Sequence, residues 1–277
     1  MSDHHQVTLD AGTVHYRERG TGPPVVFVHG LLVNGSLWHK VVDELEGNYR
    51  CIAPDWPLGS HSTAMRANAD LSPPGLARLV ADFLSALDLD AVTLVGNDTG
   101  GAICQLVATE HPERLARLVL TPCDAFENFL PPMFRPLQLA ARVPGLLTAI
   151  VQTLRSRRLR TLPIAFGWLA KRPVDQQVMD GWVRPCLSDR AVRRDTGKVL
   201  RGISPRFTLA AAEKLAHFDR PTLIAWAPED RFFPMNHAQR LAKSIPDARL
   251  DPILDSYTFV PQDQPARLAE LIADFSS

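Results

Sequence analysis

The residues with the greatest chemical potential lie together in Gly96-Asn97-Asp98-Thr99-Gly100. The apolar run Val92–Val95 leads into this stretch and a helical pattern, Thr99–Thr109, leads out of it. A strand, a tight turn and a helix, with small residues on both sides of a central side chain, can form a nucleophile elbow, because glycines let the strained backbone pass its neighbours. The central residue here is Asp98. A carboxylate is nucleophilic without help from a base, and it can attack an sp³ carbon bearing a leaving group to give an ester on the protein. The pentapeptide alone equally permits Asp98 to be no more than the N-cap of the helix that follows. The wider sequence favours the elbow. Val25–Val28 runs into His29-Gly30-Leu31-Leu32, where a backbone N–H from Leu31 and one from Thr99 would converge as an oxyanion hole. Thr222–Ala225 runs toward Asp230, a second acid beyond a buried strand.

These residues require a frame that brings several strand ends together. Val25–Val28, Arg50–Ala53, Val92–Val95, Leu118–Leu120 and Thr222–Ala225 are continuously apolar or nearly so, as expected of parallel strands covered on both faces. Helical patterns lie between and after them: Ser36–Leu45, Pro73–Leu87 with Ser72 as its cap, Thr99–Thr109, Ala238–Ser244 and Pro265–Phe275. Strand alternating with helix predicts a doubly wound sheet. A hairpin, Val7–Leu9 and Thr13–Arg19 around Asp10-Ala11-Gly12, precedes it. The alternation stops between residues 126 and 216, where prolines punctuate helical stretches and no strand pattern is visible. The expected organisation is therefore an α/β core over 1–125 and 217–277, interrupted by a helical cap over 126–216.

With the elbow, His29-Gly30, Trp38, Ala53-Pro54-Asp55, His111-Pro112-Glu113-Arg114-Leu115 and the inserted helices in view, the chain resembles the α/β-hydrolase superfamily. The likeness is to its capped branch of haloalkane dehalogenases and epoxide hydrolases, in which the elbow nucleophile is Asp. The resemblance spans nearly the whole chain and implies a mainly parallel eight-stranded sheet. It also implies a histidine, oriented by an acid, that activates the water cleaving the ester. In the family that histidine precedes a phenylalanine and a proline-started helix. Phe259 and Pro265 fit the pattern, but Thr258 stands where the histidine belongs, and no histidine follows His237. Two further departures stand out. Dehalogenases commonly have tryptophan directly after the nucleophile, where this chain has Thr99, and epoxide hydrolases use cap tyrosines, whereas Tyr16, Tyr49 and Tyr257 all lie outside residues 126–216. Some relatives place the supporting acid after the preceding strand, which makes Asp124 the alternative to Asp230.

The site expected from this reading has Asp98 and Asp230 as catalytic groups and Leu31 and Thr99 as the oxyanion hole. His29, Trp38, Asp124, Tyr257 and Thr258 are expected around the pocket, with Trp38 and cap residues as its roof. Three readings of function remain: a hydrolase of a small apolar halide, epoxide or ester; a lyase, isomerase or cyclase using Asp98 as acid or base; and a non-catalytic ligand-binding relative.

Composition narrows the partners. Lys+Arg and Asp+Glu both number 30, so the overall charge gives no electrostatic footprint for nucleic acid. No apolar stretch is long enough to span a bilayer, and the first residues carry no secretory pattern. The expectation is a cytoplasmic monomer or homodimer acting on a small molecule, with neither nucleic acid nor membrane as partner. Phosphate-binding, dinucleotide and metal-ligand spacings are not visible, so no cofactor is expected. Cys51, Cys104, Cys123 and Cys186 lack C-x-x-C spacing and read as buried reduced thiols.

Overall fold

The computed structural model describes residues 4–276. Its centre is an eight-stranded sheet in the order β1-β2-β4-β3-β5-β6-β7-β8. The strands are β1 (His4–Leu9), β2 (Gly12–Arg19), β3 (Pro24–Val28), β4 (Arg50–Pro54), β5 (Val92–Asp98), β6 (Leu115–Cys123), β7 (Thr222–Trp226) and β8 (Ala248–Pro252). The hairpin strands pair antiparallel, β2 joins β4 antiparallel, and every other pairing is parallel. The central strands are buried on both faces, as are all residues of β5 and β7, which explains the apolar runs that begin them.

Helices α1 (His39–Leu45), α2 (Pro73–Ala86) and α3 (Thr99–Glu110) follow strands β3, β4 and β5. The start of α2 is set by Ser72, whose hydroxyl accepts from the Gly75 N–H, with proline in the first turn; both are favoured at helix N-termini. Helix α3 is buried along nearly its whole length, as befits a helix lodged against the sheet directly after the elbow.

Between β6 and β7 come α4 (Arg135–Ala140), α5 (Leu146–Thr153), α6 (Arg157–Arg160), α7 (Gln176–Ser188), α8 (Arg190–Gly202) and α9 (Pro205–Leu215). No strand is assigned in this run. After β7 come α10 (Met235–Ser244), α11 (Val260–Asp263) and α12 (Pro265–Ser276). Two buried carboxylates fasten the inserted helices to the core. Asp195 of α8 accepts from the Met65 N–H at 2.7 Å. Asp263 accepts from the N–H groups of Lys171, Arg172 and Tyr257 at 2.9–3.0 Å. The Phe259 N–H also donates to the Leu169 carbonyl at 2.6 Å. The inserted segment is thus tied down near its middle and again at its third helix pair. All four cysteines are buried and unbridged.

Candidate active site

Asp98 ends β5 and sits at φ +55°, ψ −132°. A non-glycine residue in that region is strained, and the strain is absorbed by the close packing of its glycine neighbours. A Cβ on Gly100 would lie 2.3 Å from the Val28 carbonyl oxygen, and one on Gly101 would lie 2.3 Å from Cys123 Cβ. Gly30 is under the same constraint from the other side, because a Cβ there would come within 1.9 Å of Asp98 Oδ2. The elbow therefore needs its glycines for space, and the loop after β3 needs Gly30 to let the carboxylate in.

The Asp98 side chain makes no cap to its own helix. Its carboxyl instead accepts from the backbone N–H groups of Thr99 and Leu31. Burial raises its pKa to about 7, with a further push from the Asp230 charge, against the lowering effect of the two N–H donors. Low-dielectric surroundings outweigh the donors.

Asp230 is held by the N–H groups of Phe232 and Phe233, each 2.7 Å from Oδ1. Burial raises its carboxyl to about 6, while these donors and the neighbouring Thr258 hydroxyl lower it. Among the described residues Asp230 Oδ2 and Thr258 Oγ1 complete no hydrogen bond of ordinary geometry. The Thr258 turn is pinned to the end of β5 by Asn97, whose Nδ2 donates to the Thr258 carbonyl at 2.7 Å and to Thr121 Oγ1 at 2.8 Å. Asp98, Asp230 and Thr258 thus share the carboxyl end of the sheet.

Asp124 lies one residue beyond β6 and is fully buried. Its Oδ2 accepts from the Thr99 hydroxyl at 3.2 Å. Burial, followed by the Asp98 charge, holds its carboxyl well above the usual range. His29 cannot serve as a proton shuttle. Its Nε2 accepts from the Trp56 N–H at 2.9 Å, which leaves the proton on Nδ1 to donate to the Gly30 carbonyl, also at 2.9 Å. Burial lowers its pKa to about 4, and both ring nitrogens are occupied. His237 packs on Phe126 and faces Glu127, away from the two acids.

A cavity of about 420 Å³ opens above Asp98. Its floor includes Leu31, Leu32 and Asp98, and its walls come from the segment Leu130–Leu169. Asp98 and Thr153 are the only polar side chains in the lining, and the Thr153 hydroxyl donates to the Ile150 carbonyl. The pocket-forming residues expected from the sequence behave differently. Trp38 does not roof the cavity; it is fully buried against Phe27, with ring centroids 4.9 Å apart. Tyr257 does not line it either: its hydroxyl accepts from Arg231 at 2.7 Å, and Arg231 and Lys171 flank its ring. His29, Asp124 and Thr258 stand behind the lining as supports, drawn away by the hydrogen bonds above. The walls that sequence reading missed, among them Met133, Phe134, Ile150 and Phe166, carried one signal: they are large apolar side chains in a stretch, 128–174, that contains no Asp or Glu.

Among the described residues no cluster of three or more His, Cys, Asp or Glu is placed to hold a metal ion.

From residue 23 to 261 the chain matches the α/β hydrolase fold family. It belongs to that family. Within it, the chain is 28% identical over 273 residues to haloalkane dehalogenase 2 of Mycobacterium tuberculosis, covering 95% of this chain and 91% of the relative. It is 26% identical over 271 residues to an uncharacterized hydrolase of Bacillus subtilis, covering 94% and 92%. The crystal structure of a haloalkane dehalogenase from Bradyrhizobium elkani superposes with a TM-score of 0.80 at 19% identity, covering 99% of this chain and 98% of that one. At that identity the likeness is one of fold. It agrees with the mainly parallel eight-stranded sheet and its helices.

Proposed function

We propose that the protein is a hydrolase-class enzyme in which Asp98 attacks an sp³ carbon of a small apolar substrate held under the inserted helices, which act as a cap. The observation that carries this reading is the Asp98 carboxyl itself, held by the Leu31 and Thr99 N–H groups at the floor of an apolar cavity. As an oxygen of Asp98 bonds to carbon, the bond to the leaving group breaks and its electron pair departs with that group. Asp98 becomes an ester whose carbonyl oxygen faces the two N–H donors, where they would stabilise the oxyanion formed when water adds.

The leaving group is constrained by the lining. The Thr153 hydroxyl is already committed to a carbonyl, so the cavity walls offer no free side-chain acid to protonate a departing oxygen. A group that leaves as a stable anion, such as a halide, fits better than an epoxide. The second half-reaction lacks the imidazole that would activate water. Asp230 and Thr258 lie behind the lining, and neither supplies an imidazole's reach. General-base assistance is worth about 10²–10⁴-fold in rate, so the Asp98 ester is expected to accumulate.

A second reading, with Asp98 as general acid or base in a lyase or isomerase reaction, is favoured by one observation: its pKa of about 7 suits proton transfer near neutrality. Rapid-quench kinetics with primary alkyl halides separates the two. Nucleophilic attack needs the ionised carboxyl, so the burst rate should rise with pH and level off above about 7, with a burst of one leaving group per chain and slow release afterwards. Thr258→His, placing an imidazole beside Asp230, should accelerate the slow phase by about 10²-fold or more. Fast multiple turnover with no burst in the unmodified protein would contradict the ester route.

A further inference from the structure

The inserted helices carry a charge pattern that the neutral total conceals. From residue 128 to 174 the sequence contains no Asp or Glu and eight Arg and Lys. Arg157 and Arg160 pair with Asp180, and Lys171 and Arg172 pair with Asp255. Arg135, Arg142, Arg155 and Arg158 are exposed and form no ion pair among the described residues. A cluster of exposed charge is ordinarily just solvated, but here it coincides with a second anomaly. Among the described residues eight large hydrophobic side chains are exposed, and six of them fall between Leu139 and Ile164. Three of them, Leu159 (39% exposed), Leu162 (43%) and Ile164 (57%), also line the cavity above Asp98. They form its rim, open to solvent on one side and to the apolar interior on the other.

We infer that this rim docks on an anionic lipid bilayer, with Leu159, Leu162 and Ile164 entering the headgroup boundary and Arg155 and Arg158 against the lipid phosphates. Exposed aliphatic side chains bordered by unpaired cations are the composition of a surface that lies on a membrane. The charge selects this occupant. A second copy meeting the same face would set cation against cation, and a soluble polyanion would satisfy the arginines but leave the aliphatic rim in water. A peripheral contact needs no spanning helix, and among the described residues no helix is long and apolar enough to cross a membrane. The arrangement lets an apolar molecule dissolved in the bilayer pass from lipid into the cavity without crossing water. That passage rests on the proposed function; the docking does not.

The test is sedimentation of the full chain with vesicles of phosphatidylcholine containing a quarter phosphatidylglycerol, beside vesicles of phosphatidylcholine alone. The expected result is pelleting with the anionic vesicles that weakens as salt is raised. Each basic residue near such a surface changes partitioning about fivefold, so Arg155→Gln with Arg158→Gln should lower it about 25-fold. Leu162→Ser with Ile164→Ser should lower it about tenfold or more. Both pairs lie at exposed positions, and unchanged thermal unfolding will confirm that they fold. Asp98→Asn should bind as the unmodified chain does, which separates docking from the chemistry. No pelleting with anionic vesicles would overturn the inference. So would pelleting that survives the Leu162/Ile164 change and is competed fully by soluble polyglutamate, because the contact would then be with polyanions and not with lipid.

Discussion

Asp98 is placed where a carboxylate is costly, and this cost is measurable. Burial raises Asp98 to about 7 and Asp230 to about 6, and holds Asp124 higher than usual. In the unfolded chain such carboxyls titrate near 4. Between about pH 4 and pH 7 the native state therefore holds protons that the unfolded chain has released, so these groups support the fold most at low pH and lose that contribution as pH rises through the window. Asp98→Asn retains the shape of the protonated acid and cannot ionise. Its melting temperature is expected to exceed that of the unmodified protein at about pH 8 and to match it more closely at about pH 4.5; an offset independent of pH would show that Asp98 is not the buried acid described. The identity of this residue was legible because the elbow is a local pattern of glycines around one side chain. That Thr258 stands beside Asp230, where the resemblance leads one to expect a histidine, was legible only by register, from Phe259 and Pro265. That Trp38 and Tyr257 turn away from the cavity was not legible at all, since their directions depend on partners distant in sequence, Phe27 and Arg231.

The elements differ in how openly the sequence announces them. β3, β5, β6 and β7 were readable because burial on both faces forces an apolar run. β8 was not, because Ala248–Pro252 is a partly exposed edge strand with Arg249 and Asp251 in it, and such a strand needs no apolar signature. The inserted helices were readable as helices between prolines, but which of their faces lines the cavity was not, because that is fixed by long-range ties. Asp263 is the clearest of these. Three backbone N–H groups, from Lys171, Arg172 and Tyr257, end on its carboxylate. Asp263→Ala would leave these donors without their acceptor and is expected to cost about 3 kcal/mol in urea unfolding. A loss within about 0.5 kcal/mol, the range of ordinary surface changes, would mean that the Asp263 carboxylate is not what holds the inserted segment in place.

At the scale of the whole molecule, equal totals of acidic and basic residues hide an uneven distribution. The core carries the acids of the site, and the segment over it carries unpaired arginines and the exposed aliphatic rim. The same segregation leaves Asp98 as the sole ionisable group lining a cavity otherwise closed to charge, which makes covalent capture easy to read on the intact chain. The most direct measurement is the mass of the whole protein after exposure to a primary alkyl halide, followed by peptide mapping. The expected result is a single added alkyl group on the peptide containing Asp98, absent in Asp98→Asn and lost faster in Thr258→His. Sustained halide release by Asp98→Asn, with no adduct on the unmodified chain, would contradict the role assigned to Asp98.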